Sequence, residues 1–339
     1  MGHIVRLDLL DPDAPDRAQQ WADVYAAAQR ELFGDAGSPW TLGELQQLHR
    51  APEQRRTAWA GIVDGSVVGS VELIETLRDN LGSATIWLAV HAGHRGRGTG
   101  SALLETAEGA ARAAGRTTLI GETEWPSGSA DTSAGFASRH GYAVGQTNLR
   151  SHLSLPGDRH CLAVLRDGGG AASCGDSTAY AIEGIEGMPP RDWLDDLAEL
   201  NRRMSTDAPV GGLALEEESW DAERVESGVR RQLDSGRRRA LSVARESATG
   251  RLVGFTEVSV SAGSPDLAYQ GSTLVTREHR GHRLGLRLKA ANALLVMDVL
   301  PDVRSIRTWN AEENAPMRAV NRQLGYVVDA SHRMWQKQV

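Results

Sequence analysis

Two cysteines in 339 residues, Cys161 and Cys174, are too few for a disulfide framework and form no CxxC pair. That scarcity fits a reducing cytoplasm better than a secreted scaffold. Positive charge is not in excess either: the formal net charge is −7, which argues against general attraction to nucleic acid or an anionic membrane. No run approaches the roughly 20 apolar residues needed to cross a bilayer. The opening, MGHIVRLDLLDPDAPD, turns acidic before the apolar core of a signal peptide could form. Well-spaced metal ligands are missing too. His91 and His94 sit in a loop-like stretch without partners, so no metal is expected. No Gly-Lys-Ser/Thr of an NTPase occurs. A dinucleotide fingerprint fails because Ser101 stands where a third glycine would have to follow Gly96 and Gly98.

What is present is an ordinary globular composition, 40% apolar and 24% charged, in a chain long enough for two domains. An internal repeat says how it is divided. VHAGHRGRGTGSALL, from Val90, lies over VTREHRGHRLGLRLK, from Val275, so that Arg95, Gly96 and Gly100 fall on Arg280, Gly281 and Gly285 at an offset of 185. GSVEL, from Gly69, falls on GFTEV, from Gly254, at the same offset, and Gly141-Tyr142 falls on Gly325-Tyr326 at 184. The chain is read as a duplication. Between the copies, DGGGAASCGDST has little to pack and serves as a linker. The expected division is residues 1–166, linker 167–178, and 179–339.

Each copy is expected to begin with helices: Ala14 to Phe33 and Leu42 to His49, then Arg191 to Met204 and Trp220 to Leu233. A hairpin follows, AWAGIV and VVGSVELI around Asp64-Gly65 in the first copy, ALSVARE and LVGFTEV in the second. A third strand, ATIWLAV or GSTLV, runs into the Gly/Arg loop and an amphipathic helix, with Gly115 as the first helix's stop. A strand, a helix ending at Gly-Tyr and a last strand complete a mixed α/β sheet.

The loop is the chemical signal. A strand that turns through Arg and Gly into a helix gathers unpaired backbone N–H groups, and the helix dipole adds positive charge there. Glycine lets a phosphate approach the backbone, and arginine supplies forked donors. Arg95, Gly96, Arg97, Gly98, Thr99 and Gly100 meet these needs. The bland alternative is a Gly-rich connecting turn.

This segment resembles the Arg/Gln-x-x-Gly-x-Gly/Ala pyrophosphate loop of the GNAT superfamily of N-acetyltransferases. MSTDAP, EHRGHRLGLRLKAAN and TWNAEENAPMRAVNRQLGY are similar to tandem GNAT proteins of actinobacteria, whose architecture mycothiol synthase shares. The resemblance implies an α/β fold of two tandem GNAT-like domains, each a mixed, mainly antiparallel sheet flanked by helices. It further implies acetyl-CoA as donor, without a metal, and a small-molecule amine as acceptor. The second copy's cofactor residues would be Arg280, Gly281, His282, Arg283 and Gly285, with Arg283 in place of the middle glycine. Strand backbone at Leu88 to Val90, or Thr273 to Val275, would hold the pantetheine arm and the oxyanion. Asn314 would contact the cofactor or simply cap a helix. GNAT enzymes often carry a tyrosine that protonates the departing thiolate. Its place is taken by Ala137 in the first half and Asn321 in the second.

Direct attack by the amine needs a base, and Glu72 and Glu257 occupy equivalent strand positions, with Tyr269 a further candidate. Solvent-facing strand residues are the plainer account of the two glutamates. Glu216, Glu217 and Glu218, with Asp207 upstream, would favour a cationic amine or are a solvated loop. Cys161 and Cys174 carry no catalytic signature. The rival to an enzyme is a retired GNAT pair that binds acyl-CoA or a small molecule without turnover. A monomer with pseudo-dimeric halves or a homodimer would satisfy the duplication.

Overall fold

Asp64 and Gly65 both adopt positive φ, 49° and 83°, the backbone of the two-residue turn whose twist suits antiparallel strands. They join β2 (Gln54–Val63) to β3 (Ser66–Thr76). In the computed structural model, which describes residues 2–169, 179–207, 209 and 211–339, this hairpin is the centre of the first of two compact units. That unit comprises Met1–Asn148, Val210–Glu216 and Ala330–Val339. Its other strands are β1 (His3–Leu7), β4 (Ser83–Val90), β5 (Thr118–Pro126), the first part of β6 (Ala143–Ser154), and most of β12 (Val327–Gln338). The order β1-β2-β3-β4-β5-β12 is antiparallel except for the parallel pair β4–β5.

Because strand side chains alternate between faces, the sheet has two separate cores. On one face α1 (Pro15–Phe33) and α2 (Leu42–His49) cover Ala58, Ala60 and Ile62 with Trp21, Ala22 and Leu45. On the other, α3 (Thr99–Ala113) and α4 (Ala134–Arg139) cover Val71, Leu73 and Ile86 with Leu103, Ala107 and Ala137. Gly69 makes the approach of α3 possible: a Cβ there would lie 2.7 Å from Leu103 Cδ1. The start of α2 is fixed by a capping box, with Thr41 and Glu44 exchanging hydrogen bonds.

The second unit, Leu149–Pro209 and Glu217–Asp329, repeats the plan with α5 (Arg159–Arg166), β7 (Tyr180–Glu186), α6 (Leu194–Asp207), α7 (Ala222–Asp234), β8 (Arg238–Glu246), β9 (Leu252–Ser261), β10 (Ser264–Val275), α8 (Leu284–Val299), β11 (Ser305–Ala311) and α9 (Ala315–Leu324). Its sheet runs β6-β11-β10-β9-β8-β7, with β6 contributing its residues from Leu149 onward.

The helices fall where the apolar periodicity puts them, and Gly115, at φ 76°, follows the end of α3. Two features differ from the expected order. A strand, β1 or β7, precedes the pair of helices expected at the start of each copy; both are short edge strands with largely exposed or half-buried residues, so their hydrophobic signal is faint. The compact units also do not follow the contiguous cut at 166 and 179. Ala330 to Gln338 pair with Pro126 to Thr118 of β5, so the end of the chain completes the first unit's sheet. Of the expected linker, residues 170–178 lie outside the described residues, and 167–169 follow directly on α5. No helix among the described residues is long and apolar enough to cross a membrane.

Candidate functional site

In the first unit β4 and β5 run side by side only from Ser83–Thr118 to Ile86–Gly121. Beyond Ile86, β4 stays paired to β3 as far as Val90–Gly69. Trp87 to Val90 therefore keep one hydrogen-bonding edge on β3 and turn the other into a wedge. The second unit repeats this: β10 and β11 pair from Leu267–Ser305 to Tyr269–Arg307, and β10 continues alone beside β9 to Val275–Gly254. There the β9–β10 register is also irregular, between Gln270 and Thr273.

Each wedge ends in the same backbone. A single 3-10 turn, Ala92–His94 or Arg277–His279, leads to a loop with two left-handed residues. They are Gly96 and Gly98, at φ 73° and 87°, in the first loop, and Gly281 and Arg283, at 89° and 57°, in the second. Gly98 and Arg283 are the N-caps of α3 and α8, and neither helix start has a side-chain cap. The first-turn amides of Thr99, Gly100 and Ser101 thus lack intrahelical acceptors and project where an anion could sit. Gly285 lies in the first turn of α8.

The first arginine of each loop faces the other way. Arg95 Nε donates to the Val90 carbonyl at 2.9 Å, and its two Nη groups bind Glu31 of α1 at 2.9 and 2.6 Å. Arg280 Nε donates to the Val275 carbonyl at 3.1 Å, and Nη2 binds Asp207 of α6 at 2.8 Å. Both tie the end of a wedge strand to a helix carboxylate. Their guanidinium groups, expected on the phosphate, are already engaged. Arg97 is exposed. Arg283 Nη1 reaches the Gly168 carbonyl at 3.5 Å, and His282 packs beside the Tyr180 ring, 5.2 Å between centroids. Ser101 Oγ and His140 Nε2 lie 3.0 Å apart beside the first helix start.

The glutamates are not free strand residues. Glu72 is fully buried, with Arg56 Nη1 at 3.0 Å and His49 Nε2 at 2.7 Å. Glu257 accepts from Arg239 Nε at 2.8 Å and Nη2 at 2.5 Å and keeps a quarter of its side chain exposed. The solvent-facing account fails for Glu72. Sequence reasoning missed the arginine partners, although Arg56 and Arg239 precede their glutamates by nearly equal spacings and were legible in the repeat. It missed His49 for want of a counterpart, since α7 ends in Asp234. Tyr269 stacks on Trp309, centroids 6.1 Å apart, and Asn314 caps α9 by accepting from the Met317 N–H at 3.2 Å.

The acidic stretch is largely neutralised. Glu217 pairs with Arg202, Glu218 accepts from Trp220 Nε1, and Asp207, 8% exposed, holds Arg277 and Arg280. Among the described residues no cluster could hold a metal ion.

The model of the acetyltransferase (GNAT) domain matches residues 54–144, the span from β2 through the first loop to the start of β6. No curated protein matches the sequence significantly. Among solved structures, a tandem GNAT protein from the clavulanic acid biosynthesis pathway is 30% identical, with 100% of this chain and 98% of that one covered at a TM-score of 0.77. A GCN5-related N-acetyltransferase from Sphaerobacter thermophilus shares the fold at 17% identity, covering 99% and 95% of the two chains with a TM-score of 0.66. A duplicated wedge-and-loop unit and an end-to-end relative at that identity lead to one conclusion: the chain belongs to the GNAT superfamily, in its tandem form.

Proposed function

We propose that the protein is an acyl-CoA-dependent N-acetyltransferase that moves an acetyl group from acetyl-CoA to the amine of a small molecule, with the donor held by the first unit. One observation carries this reading: in that unit the open edge of β4 leads straight into a loop whose left-handed N-cap is glycine, before an uncapped helix start. Amides of the loop and of the first turn of α3 would accept the pyrophosphate, with Arg97 adding charge. The open edge from Trp87 to Val90, apart from the Val90 carbonyl that Arg95 holds, offers main-chain groups to the amide-rich pantetheine arm, as an added strand would use them. A β4 N–H beside the thioester would stabilise the oxyanion, and holding both reactants together supplies much of the acceleration.

The net charge of −7 favours an acceptor that is cationic before it reacts. Because Asp207, Glu217 and Glu218 already answer to other groups, that preference would come from the surface at large.

A second reading applies to the second unit. Arg283 at the N-cap and the irregular β10 suit a half that has given up turnover and serves as scaffold or binding module. The test combines calorimetry with acetyl-CoA and release of CoA thiol in the presence of an amine panel. Binding and amine-stimulated release are expected, with Arg97→Ala weakening binding about tenfold, as for one lost charge-assisted contact of about 1.4 kcal/mol. Binding without release under any amine would favour the non-catalytic reading for both units.

A further inference from the structure

Glu72 is wholly buried, and its two oxygens face different partners. Oε2 accepts from Arg56, while Oε1 lies 2.7 Å from Nε2 of His49, the last residue of α2. Nε2 and Oε1 are both sealed from solvent, and among the described residues neither has a hydrogen-bond partner, so their approach is an ion-pair contact. At that separation a lone pair on Nε2 would face the lone pairs of the carboxylate. That assigns the proton to Nε2 and leaves the lone pair of the neutral ring on Nδ1.

The position of this pair matters as much as its chemistry. Glu72 stands directly opposite Trp87 in the β3–β4 register, and Trp87 is the first residue of β4 beyond its last pair with β5. Side chains alternate along β3. Gly69 and Val71 face α3, so Glu72 faces α1 and α2. His49, with 7% of its side chain exposed, therefore lies beside the Glu72–Trp87 pair at which the wedge opens, on the sheet face opposite the loop-bearing helix. Beside it, the Arg56 guanidinium lies 5.2 Å from the centre of the Trp87 ring, and Tyr25 stacks on that ring at 6.4 Å.

We infer that His49 is the base that takes the proton from the acceptor amine, with Glu72 and Arg56 as positioning residues. The inference rests on the acetyl-transfer reading of the first unit. A donor gripped from the α3 face presents its thioester through the wedge, and an acceptor approaching from the α1–α2 face meets His49. The amine nitrogen forms its bond to the carbonyl carbon, its proton passes to Nδ1, and the carbon–sulfur bond breaks to release the thiolate. That proton then leaves the imidazolium for the thiolate or solvent, giving the N-acetyl amine and CoA thiol. Glu72 stabilises the transient charge through Nε2, and Arg56 keeps the carboxylate in place. Among the described residues, the charged groups placed beside the ring are Glu72 from β3 and, bound to that carboxylate, Arg56 from β2, while Tyr25 of α1 stacks on Trp87. In the second unit Arg239 and Glu257 persist without a histidine, which confines this device to the first.

The experiment compares wild type, His49→Gln, His49→Ala and Glu72→Gln in CoA-thiol release from acetyl-CoA across pH, with spermidine, glucosamine and lysine methyl ester as acceptors. Calorimetric acetyl-CoA affinity reports the integrity of the fold. His49→Gln is expected to lower kcat about 10²–10³-fold, within the usual span for general-base catalysis, with acetyl-CoA affinity retained and the acidic limb of the pH profile lost. Added imidazole should restore part of the activity of His49→Ala. Glu72→Gln should lower kcat less than His49→Gln does, with acetyl-CoA affinity retained, because the base remains and only its positioning carboxylate is lost. Unchanged kcat and pH profile in His49→Gln, or a loss that tracks acetyl-CoA affinity and resists imidazole, overturns the assignment while leaving acetyl transfer standing. A wild type that no amine stimulates removes both.

Discussion

At the start of α3 the left-handed N-cap is Gly98, at φ 87°; at the start of α8 it is Arg283, at φ 57°. Everything that shapes the two loops is otherwise held in common: the 3-10 turn, the left-handed glycine two residues earlier, and an arginine that clamps the strand-end carbonyl to a helix carboxylate. The arch therefore stands on the arginine clamp. What differs lies on the ligand-facing side: a bare helix start in one unit and a guanidinium beside it in the other, a regular β4 in one and a disturbed β10 in the other. Duplication has preserved the frame and let the opening diverge.

The largest effect should come from damaging the two arches in the same way. A Cβ on Gly96 or Gly281 would meet nothing within 4 Å, so valine at either position acts through backbone strain alone, at φ 73° and 89°. Strain of roughly 1–3 kcal/mol at a β-branched residue should displace the loop. Gly96→Val is expected to weaken acetyl-CoA binding by about two orders of magnitude, close to 2.7 kcal/mol, with Gly281→Val almost silent by calorimetry. Equal losses would mean that both arches hold cofactor.

A second contrast concerns the tyrosine that follows each left-handed glycine near the sheet's end. Tyr142 donates to Glu108 at 3.1 Å, and Glu108 also receives Lys337 at 2.7 and 2.8 Å. Tyr326 instead lies 4.6 Å from Lys289, an amine with Asn321 Oδ1 at 2.6 Å and no carboxylate contact among the described residues. Burial lowers the Lys289 pKa to about 7 from the ordinary 10.5. Between those values the unfolded chain holds a proton that the folded chain does not, so stability should rise with pH across that window. The slope is up to about 1.4 kcal/mol per pH unit, and Lys289→Met should abolish it. Glu108→Ala should cost about 2 kcal/mol, below the roughly 3–5 kcal/mol of a fully buried broken pair because Lys337 is partly exposed. Denaturant unfolding at several pH values checks both, and a Lys289 variant with the wild-type slope would refute the first.

How much of this was legible depends on sequence distance. Helices α1, α2, α6 and α7 and the Asp64-Gly65 hairpin are local events, written in periodicity and turn chemistry, and the loops announced themselves through glycine and the repeat. β1 and β7 were missed because a short, half-exposed edge strand has no strong pattern. The pairing of β12 with β5 is set by a partner about 200 residues away, which no local preference encodes. At the site, Glu72 was visible as a position but not as a chemical state. Burial and its two partners come from α2 and β2, and only the Arg-before-Glu spacing, repeated in the second copy, pointed to one of them.

Arg283→Gly should have the smallest effect on stability and says the most about which difference separates the halves. A side chain in the left-handed region costs roughly 1–2 kcal/mol, whereas glycine at a fixed position costs roughly 0.5–1 kcal/mol in backbone entropy. Little offsets that balance, since among the described residues the hydrogen bond of Arg283 is a long one, 3.5 Å to the Gly168 carbonyl. The variant should therefore be more stable by about 0.5 kcal/mol. If the guanidinium alone closes the second arch, the same variant gains a second, weaker acetyl-CoA binding step by calorimetry. That gain is the expected outcome, because the loop backbone already matches that of the first unit. Added stability with unchanged stoichiometry would move the distinction to the strand, where β10 breaks register between Gln270 and Thr273 and the main-chain edge facing the wedge is no longer regular.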